Sequence, residues 1–206
     1  MTELRQVDVS VDRLERWIGT FAERHGVPTW SLDAAAYLAS APDGAWATFA
    51  SWNPPDGLPM DPDAWTRVPS PFVIILIRRG GYAVGWVEHN QLVTHKCGTR
   101  YVQSRTAAGG WSQQRYARRR SNQRDELVRT VAERAISAID GRHCAGVVLG
   151  GDKVLATAVL EDPRLRWLVH VPRREFFDIP DPRLTVLAAV VSRAQAVAVT
   201  VSNGPR

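Results

Sequence analysis

The sequence predicts a mixed α/β fold, a single domain whose mixed β-sheet starts as a meander and continues as alternating helices and strands. Three observations carry this. The runs FVIILIR (72–78), YAVGWVEH (82–89) and LVTHKCGTRYVQS (92–104) follow one another with only turn-forming residues between them. Leu127, Val128, Val131, Ala132, Ala135, Ile136 and Ile139 then mark one face of a long helix with a 3.6-residue period. After it, the apolar runs GVVLG (146–150), RWLVHV (166–171) and AVAVTVS (196–202) alternate with helical segments.

In chain order, residues Val11 to His25 read as an amphipathic helix. Ser10 is its cap, Leu14, Trp17, Ile18 and Phe21 form its apolar stripe, and Gly26 and Pro28 stop it. An alanine-rich stretch and the strand-like WATFASW (46–52) follow, and the six prolines between Asn53 and Pro71 make a loop. Within the meander, Gly80-Gly81 is the first turn and Asn90-Gln91 the second, with a bulge expected at Gly98. Asp125 and Glu126 are expected near the start of the long helix, where carboxylates favour the dipole, and Gly141 ends it. Beyond it the reading is a short helix or turn over 152–160, a strand at RWLVHV, and a helix from Pro182 to Ala194 with Asp181 as cap. The domain is read as 1–206, with 1–70 an N-terminal helix and strand region and 104–121 a projecting loop or a frayed extension of the long helix. The tryptophans at 17, 30, 46 and 52 are assigned to the core.

At 206 residues the chain can bury a substantial core, and with 45% hydrophobic and 23% charged residues it is globular rather than disordered. The formal net charge of +5 points to an anionic partner, and its distribution sharpens the point. No Asp or Glu occurs between His89 and Arg124, where Lys96, Arg100, Arg105, Arg115, Arg118, Arg119, Arg120 and Arg124 all lie. Cys97 and Cys144 have no CxxC spacing and read as reduced core thiols. The first residues carry acids and bases with no apolar run, and VLAAVV (186–191) is too short to span a bilayer, so a cytoplasmic protein without membrane contact is expected.

Conventional catalytic motifs are missing. His25, His89, His95, His143 and His170 are scattered, with no HxxxH or HExxH frame, and there is no GxSxG elbow or phosphate-binding loop. Glu88, Asp152, Glu161 and Asp162 do not have the strand-borne spacing that two-metal nuclease chemistry uses, so neither a metal nor another cofactor is expected. What is left is the stretch RTAAGGWSQQRYARRR (105–120). Gly109 and Gly110 give a backbone able to approach a partner closely, and Gln113 places an amide three residues beyond Gly110. A glutamine has no useful pKa, but it can orient a water, and glycine-rich backbone N–H groups can stabilise developing negative charge. The arginines present planar forks suited to phosphates. On composition alone, a solvated surface loop with a run of charge is the competing reading.

A strand ending in Tyr101-Val102-Gln103-Ser104-Arg105, a short linker, then G-x-x-Q and a basic run into a long helix resembles the VLRF-type peptidyl-tRNA hydrolases, in particular their stand-alone actinobacterial branch. These are relatives of the catalytic middle domain of eukaryotic and archaeal class I release factors. The resemblance extends over roughly Pro71 to Ser202 in organisation, with Gly110-Trp111-Ser112-Gln113 as its specific motif. It implies a release-factor middle-domain-like core and hydrolysis of the peptide–tRNA ester on stalled large ribosomal subunits. It further implies Gln113 as the water-positioning residue on Gly109 and Gly110, with Arg105, Trp111, Arg115, Arg118, Arg119, Arg120 and Arg124 on rRNA or tRNA. DNA is not an expected partner. In the terminating factors glycine, glycine and glutamine are contiguous, whereas here Trp111 and Ser112 intervene, which leaves Gln114 as a rival. The alternative from another class is a non-catalytic rRNA- or tRNA-binding module.

Overall fold

The computed structural model describes residues 4–33, 35–99 and 111–203; between 111 and 120 it describes the backbone throughout and the side chains of Arg118 and Arg119. The chain divides into two compact units, residues 1–68 with 192–206, and residues 69–191. Each unit holds a five-stranded sheet. The class is mixed α/β, as expected, but the strands are shared between two sheets where the sequence suggested one.

The first unit contains β1 (Leu4–Val9), α1 (Val11–His25), β2 (Thr29–Asp33), β3 (Ala36–Ser40), β4 (Trp46–Ala50), the short α2 (Pro62–Trp65) and the last strand, β10 (Val197–Ser202). Its sheet runs β1-β10-β4-β3-β2 with every pairing antiparallel. Register places Val199 opposite both Val7 and Phe49, and Phe49 opposite Tyr37, so one face carries a continuous apolar row. Helix α1 lays Leu14 and Phe21 on that face, and Trp17 meets Phe49 edge-on at 5.4 Å. The helix has the predicted bounds. Ser10 occupies the cap position but its side chain makes no capping bond, and the helix ends at Gly26, whose φ of 88° suits a residue without Cβ. Of the tryptophans assigned to the core, Trp52 is buried with its indole N–H donating to the Ala194 carbonyl at 2.6 Å, Trp17 and Trp30 pack against the cluster under α1, and Trp46 is half-buried. Strands β2 and β3, hidden in the alanine-rich stretch, were not anticipated.

In the second unit, β5 (Phe72–Arg78) and β6 (Gly81–Glu88) lie at the heart of the sheet, which runs β7-β6-β5-β8-β9 with β7 at Gln91–Thr99, β8 at Gly146–Gly151 and β9 at Arg173–Phe176. The meander pairs antiparallel, and β5–β8 and β8–β9 pair parallel. Val73, Ile75 and Ile77 share one face, against which α3 (Trp111–Ile139) packs Leu127, Val131, Ala135 and Ile139. Helix α4 (Lys153–Leu160) adds Leu155, Ala156 and Val159 to the same cluster. Asp152 caps α4, accepting from the Val154 and Leu155 N–H groups at 3.0 and 3.2 Å. Helix α5 (Leu184–Ala194) brings Leu187 so close to β6 that a Cβ at Gly85 would lie 3.2 Å from it and 2.7 Å from Leu92. Among the described residues no helix is long and apolar enough to cross a membrane.

Several local expectations are corrected. RWLVHV is not a strand: Arg166–His170 is a 3₁₀ turn, and burial recurs at Leu165 and Leu168, three residues apart, while Trp167 and Val169 are exposed. The strand lies further on, at β9, where Arg174 and Phe176 are the buried members of an alternating pair. Helix α5 begins at Leu184, not at Pro182. The second meander turn is His89-Asn90, with φ of 49° and 66°, the geometry a two-residue hairpin needs to match strand twist. The register shift in the meander falls between Trp86 and Val87, not at Gly98. Finally, α3 starts well before Asp125 and Glu126, which lie near its middle.

Candidate functional site

Helix α3 has 29 residues, roughly 43 Å of axis at 1.5 Å per residue. Its anchorage is one-sided along its length. The first side chain described as buried is Leu127, so about half the helix precedes the packed part. Arg118, Arg119, Ser121, Asn122, Arg124 and Asp125 are all exposed. Arg124 meets Asp125 at 3.3 Å with both side chains more than half exposed, a weak pair that leaves the basic character of this half in place.

The packed half is held by two arginine clamps that the sequence did not single out. Arg142, just past the C-terminus of α3, donates to the Ile139 and Ala138 carbonyls at 3.2 and 2.7 Å, satisfying acceptors that a helix end leaves open. The same guanidinium lies 4.5 Å from the Trp86 ring and 3.3 Å from a Glu88 oxygen. Glu88 also accepts from the Trp86 indole N–H, so the one carboxylate on the meander is engaged structurally. Arg164 donates to Glu133 on α3 and to Asp162, each at 2.8 Å, tying the helix to the turn after α4. The hydrogen bonds from Arg164, side chain first and backbone N–H second, hold the Asp162 carboxyl below the usual carboxylate range. Sequence pattern alone had no means of pairing residues so far apart.

The other titratable groups do not converge. His25 bonds Asp43 at 2.7 Å, and His89, His95, His143 and His170 are exposed. Burial raises the thiols of Cys97 and Cys144, and Cys144 donates to the Gly146 carbonyl at 3.1 Å, as a core thiol does. Cys97 is only partly buried. Among the described residues no three His, Cys, Asp or Glu side chains cluster as metal ligands would.

Of the residues singled out from the sequence, Arg105, Gly109 and Gly110 lie outside the described residues. Trp111, Gln113, the rival Gln114, Arg115 and Arg120 are described in backbone only, the first four in the opening turns of α3. Arg118, Arg119 and Arg124 are each exposed on the half of α3 that precedes Leu127. Over 111–121 the backbone is helical, so of the two expectations for this stretch it is the extension of the long helix that is found, not a projecting loop. The start of a helix presents backbone N–H groups without intrahelical acceptors and the positive end of its dipole. No acidic residue occupies the first turn to neutralise it. An amide is a residue type suited to orienting a polar, electron-rich group rather than to proton transfer.

Comparison with known proteins bears on this region. The family model for the Actinobacteria/chloroflexi VLRF1 release factor matches residues 70–200, well over half of the chain and inclusive of Gly110, Trp111, Ser112 and Gln113. No curated protein matches the chain. Among solved structures, the "Vms1 mitochondrial localization core" is similar with 10% identity over 91% of this chain and 80% of that one, at a TM-score of 0.45, a likeness too remote to carry weight.

Proposed function

Because the chain belongs to the Actinobacteria/chloroflexi VLRF1 release factor family, we propose that it hydrolyses the peptide–tRNA ester on stalled large ribosomal subunits, with Gln113 orienting the attacking water. The observation that carries the reading is the placement of Gln113, three residues past Gly110, in the first turn of a helix whose far half is packed and whose near half is basic. In this reading Gly109 and Gly110 allow the close approach of backbone to the reacting ester. The amide of Gln113 holds the water in line, a positioning effect rather than acid–base catalysis. The ribosome and the tRNA supply the remaining groups. Arg105, Arg115, Arg118, Arg119, Arg120 and Arg124 hold the rRNA and tRNA phosphates by charge-assisted hydrogen bonds, and Trp111 stacks on a base.

The test is to incubate the protein with stalled large-subunit complexes carrying labelled peptidyl-tRNA and to measure free peptide. Wild type is expected to release the peptide, and Gln113→Ala to bind the subunit and leave the ester intact. Release at the wild-type rate by Gln113→Ala would remove Gln113 from its role, and a matching loss in Gln114→Ala would transfer that role to the neighbour. Subunit binding without release by the wild type would leave the non-catalytic RNA-binding alternative.

A further inference from the structure

We infer that the first unit carries a second RNA-binding surface, a groove between α1 and the β1 edge that takes a phosphodiester backbone. The groove has a volume of about 850 Å³ and is lined entirely by residues of that unit, among them Arg5, Arg13, Arg16 and Arg24. Helix α1 and strand β1, which form most of it, precede the family match at residue 70.

The charge is arranged, not merely present. At 3.6 residues per turn, Arg13, Arg16, Thr20 and Arg24 fall on one stripe of α1, which lines the groove. Asp12, Glu15 and Glu23 do not line it, although Asp12 and Glu23 border the stripe on the Arg16 side. All four arginines are exposed, and none makes a side-chain hydrogen bond or ion pair among the described residues. The single acidic residue in the lining, Asp8, is engaged by Arg193 at 2.9 Å, so it does not cancel the other four. Four exposed guanidiniums lining one groove give it a positive field that a polyanion complements.

The occupant follows from the shape of the charge and from what lies beneath it. Arg13 to Arg24 covers roughly 16 Å of helix axis, several repeats of a strand bearing one charge per ~3.4 Å. The guanidinium fork matches phosphate oxygens two at a time. The floor is aromatic but already engaged: Trp17 stacks on Phe21 at 5.8 Å and abuts Phe49 edge-on. Base stacking therefore has no free platform, and the groove reads backbone rather than sequence. The choice of RNA over an acidic polypeptide draws on the release-factor membership; the basic groove itself does not.

The experiment measures binding of the full chain to a labelled oligouridylate across a salt series, with no ribosome and no ester present, so its outcome is separate from that of the release assay. The triple variant Arg13→Gln, Arg16→Gln, Arg24→Gln is expected to bind about tenfold or more weakly at low salt. Its log–log salt slope should be shallower by about 2, three contacts at about 0.7 each. The triple Arg→Lys variant keeps the charges and should keep the slope while losing part of the affinity. An unchanged affinity and slope in the glutamine variant, with an unchanged melting temperature, would overturn the proposal. So would polyglutamate that binds the wild type more tightly than the oligouridylate does.

Discussion

The two halves of α3 share one continuous backbone helix yet answer to different constraints. From Leu127 to Ile139 the helix contributes five fully or almost fully buried apolar side chains at helical spacing to the core, and it is clamped by Arg142 and Arg164. Before Leu127 its described side chains are polar or basic and mostly exposed, and nothing in their pattern calls for a core. Stability resides in the first set, and the proposed chemistry and grip in the second. The separation teaches that a helix can serve as a rod: packing fixes its direction at one end so that a few residues are held at the other, without spending core contacts on them.

Four changes test that division, from the largest expected effect to the smallest. Gln113→Ala should lower peptide release by about a thousandfold, roughly 4 kcal/mol of activation free energy, while the melting temperature stays within error of wild type. Leu127→Ala should do the reverse. With Leu127 fully buried, truncation should cost about 2–5 kcal/mol in denaturant unfolding, and at temperatures where the variant remains folded its release rate should approach wild type. If Leu127→Ala abolished release in a demonstrably folded protein, the two halves would not be separable.

Arg118→Gln with Arg119→Gln should weaken subunit binding about tenfold and flatten the salt slope by about 1.5–2, with no measurable change in stability, because both side chains are exposed. The smallest effect is expected at Asp162. Its carboxyl is depressed by Arg164 in the folded chain, so the stability it contributes is present above the unfolded value of about 3.9 and is lost as pH falls through the lower folded value. Asp162→Asn should make the loss of stability below about pH 4 shallower and leave neutral-pH release unchanged; an identical acid unfolding curve would show that the clamp contributes nothing through this group.

Much of this was legible before any coordinates. Periodic residues located α1 and the packed face of α3, because hydrophobic spacing reports which face meets a core, and apolar runs separated by turn-forming residues located the meander. The basic run without acids was legible for the same reason that it matters: charge is a property of residue type, not of placement. The errors fell where spacing was ambiguous. Trp167, Leu168 and Val169 are apolar in succession, and only burial of Leu165 and Leu168 distinguishes a 3₁₀ period from a strand. Residues 111–126 have no apolar stripe, so spacing left a loop and a helical extension equally open there, and the backbone is helical. Arg142 on Trp86 and Arg164 on Glu133 were invisible since contacts between distant residues leave no local trace.

The sequence by itself determined the mixed α/β class, the apolar faces of its two long helices, the concentration of positive charge around Gly109, Gly110 and Gln113, and, through those residues, the family. All of these depend on residue type and on spacing along the chain. The tertiary structure alone decided that the last strand returns to pair with β1 and β4, so that the strands form two sheets. It alone showed that Arg13, Arg16 and Arg24 line one groove with Arg5 from a neighbouring strand. Those facts arise from pairing across long sequence separations, where register and burial, not local preference, choose the partner.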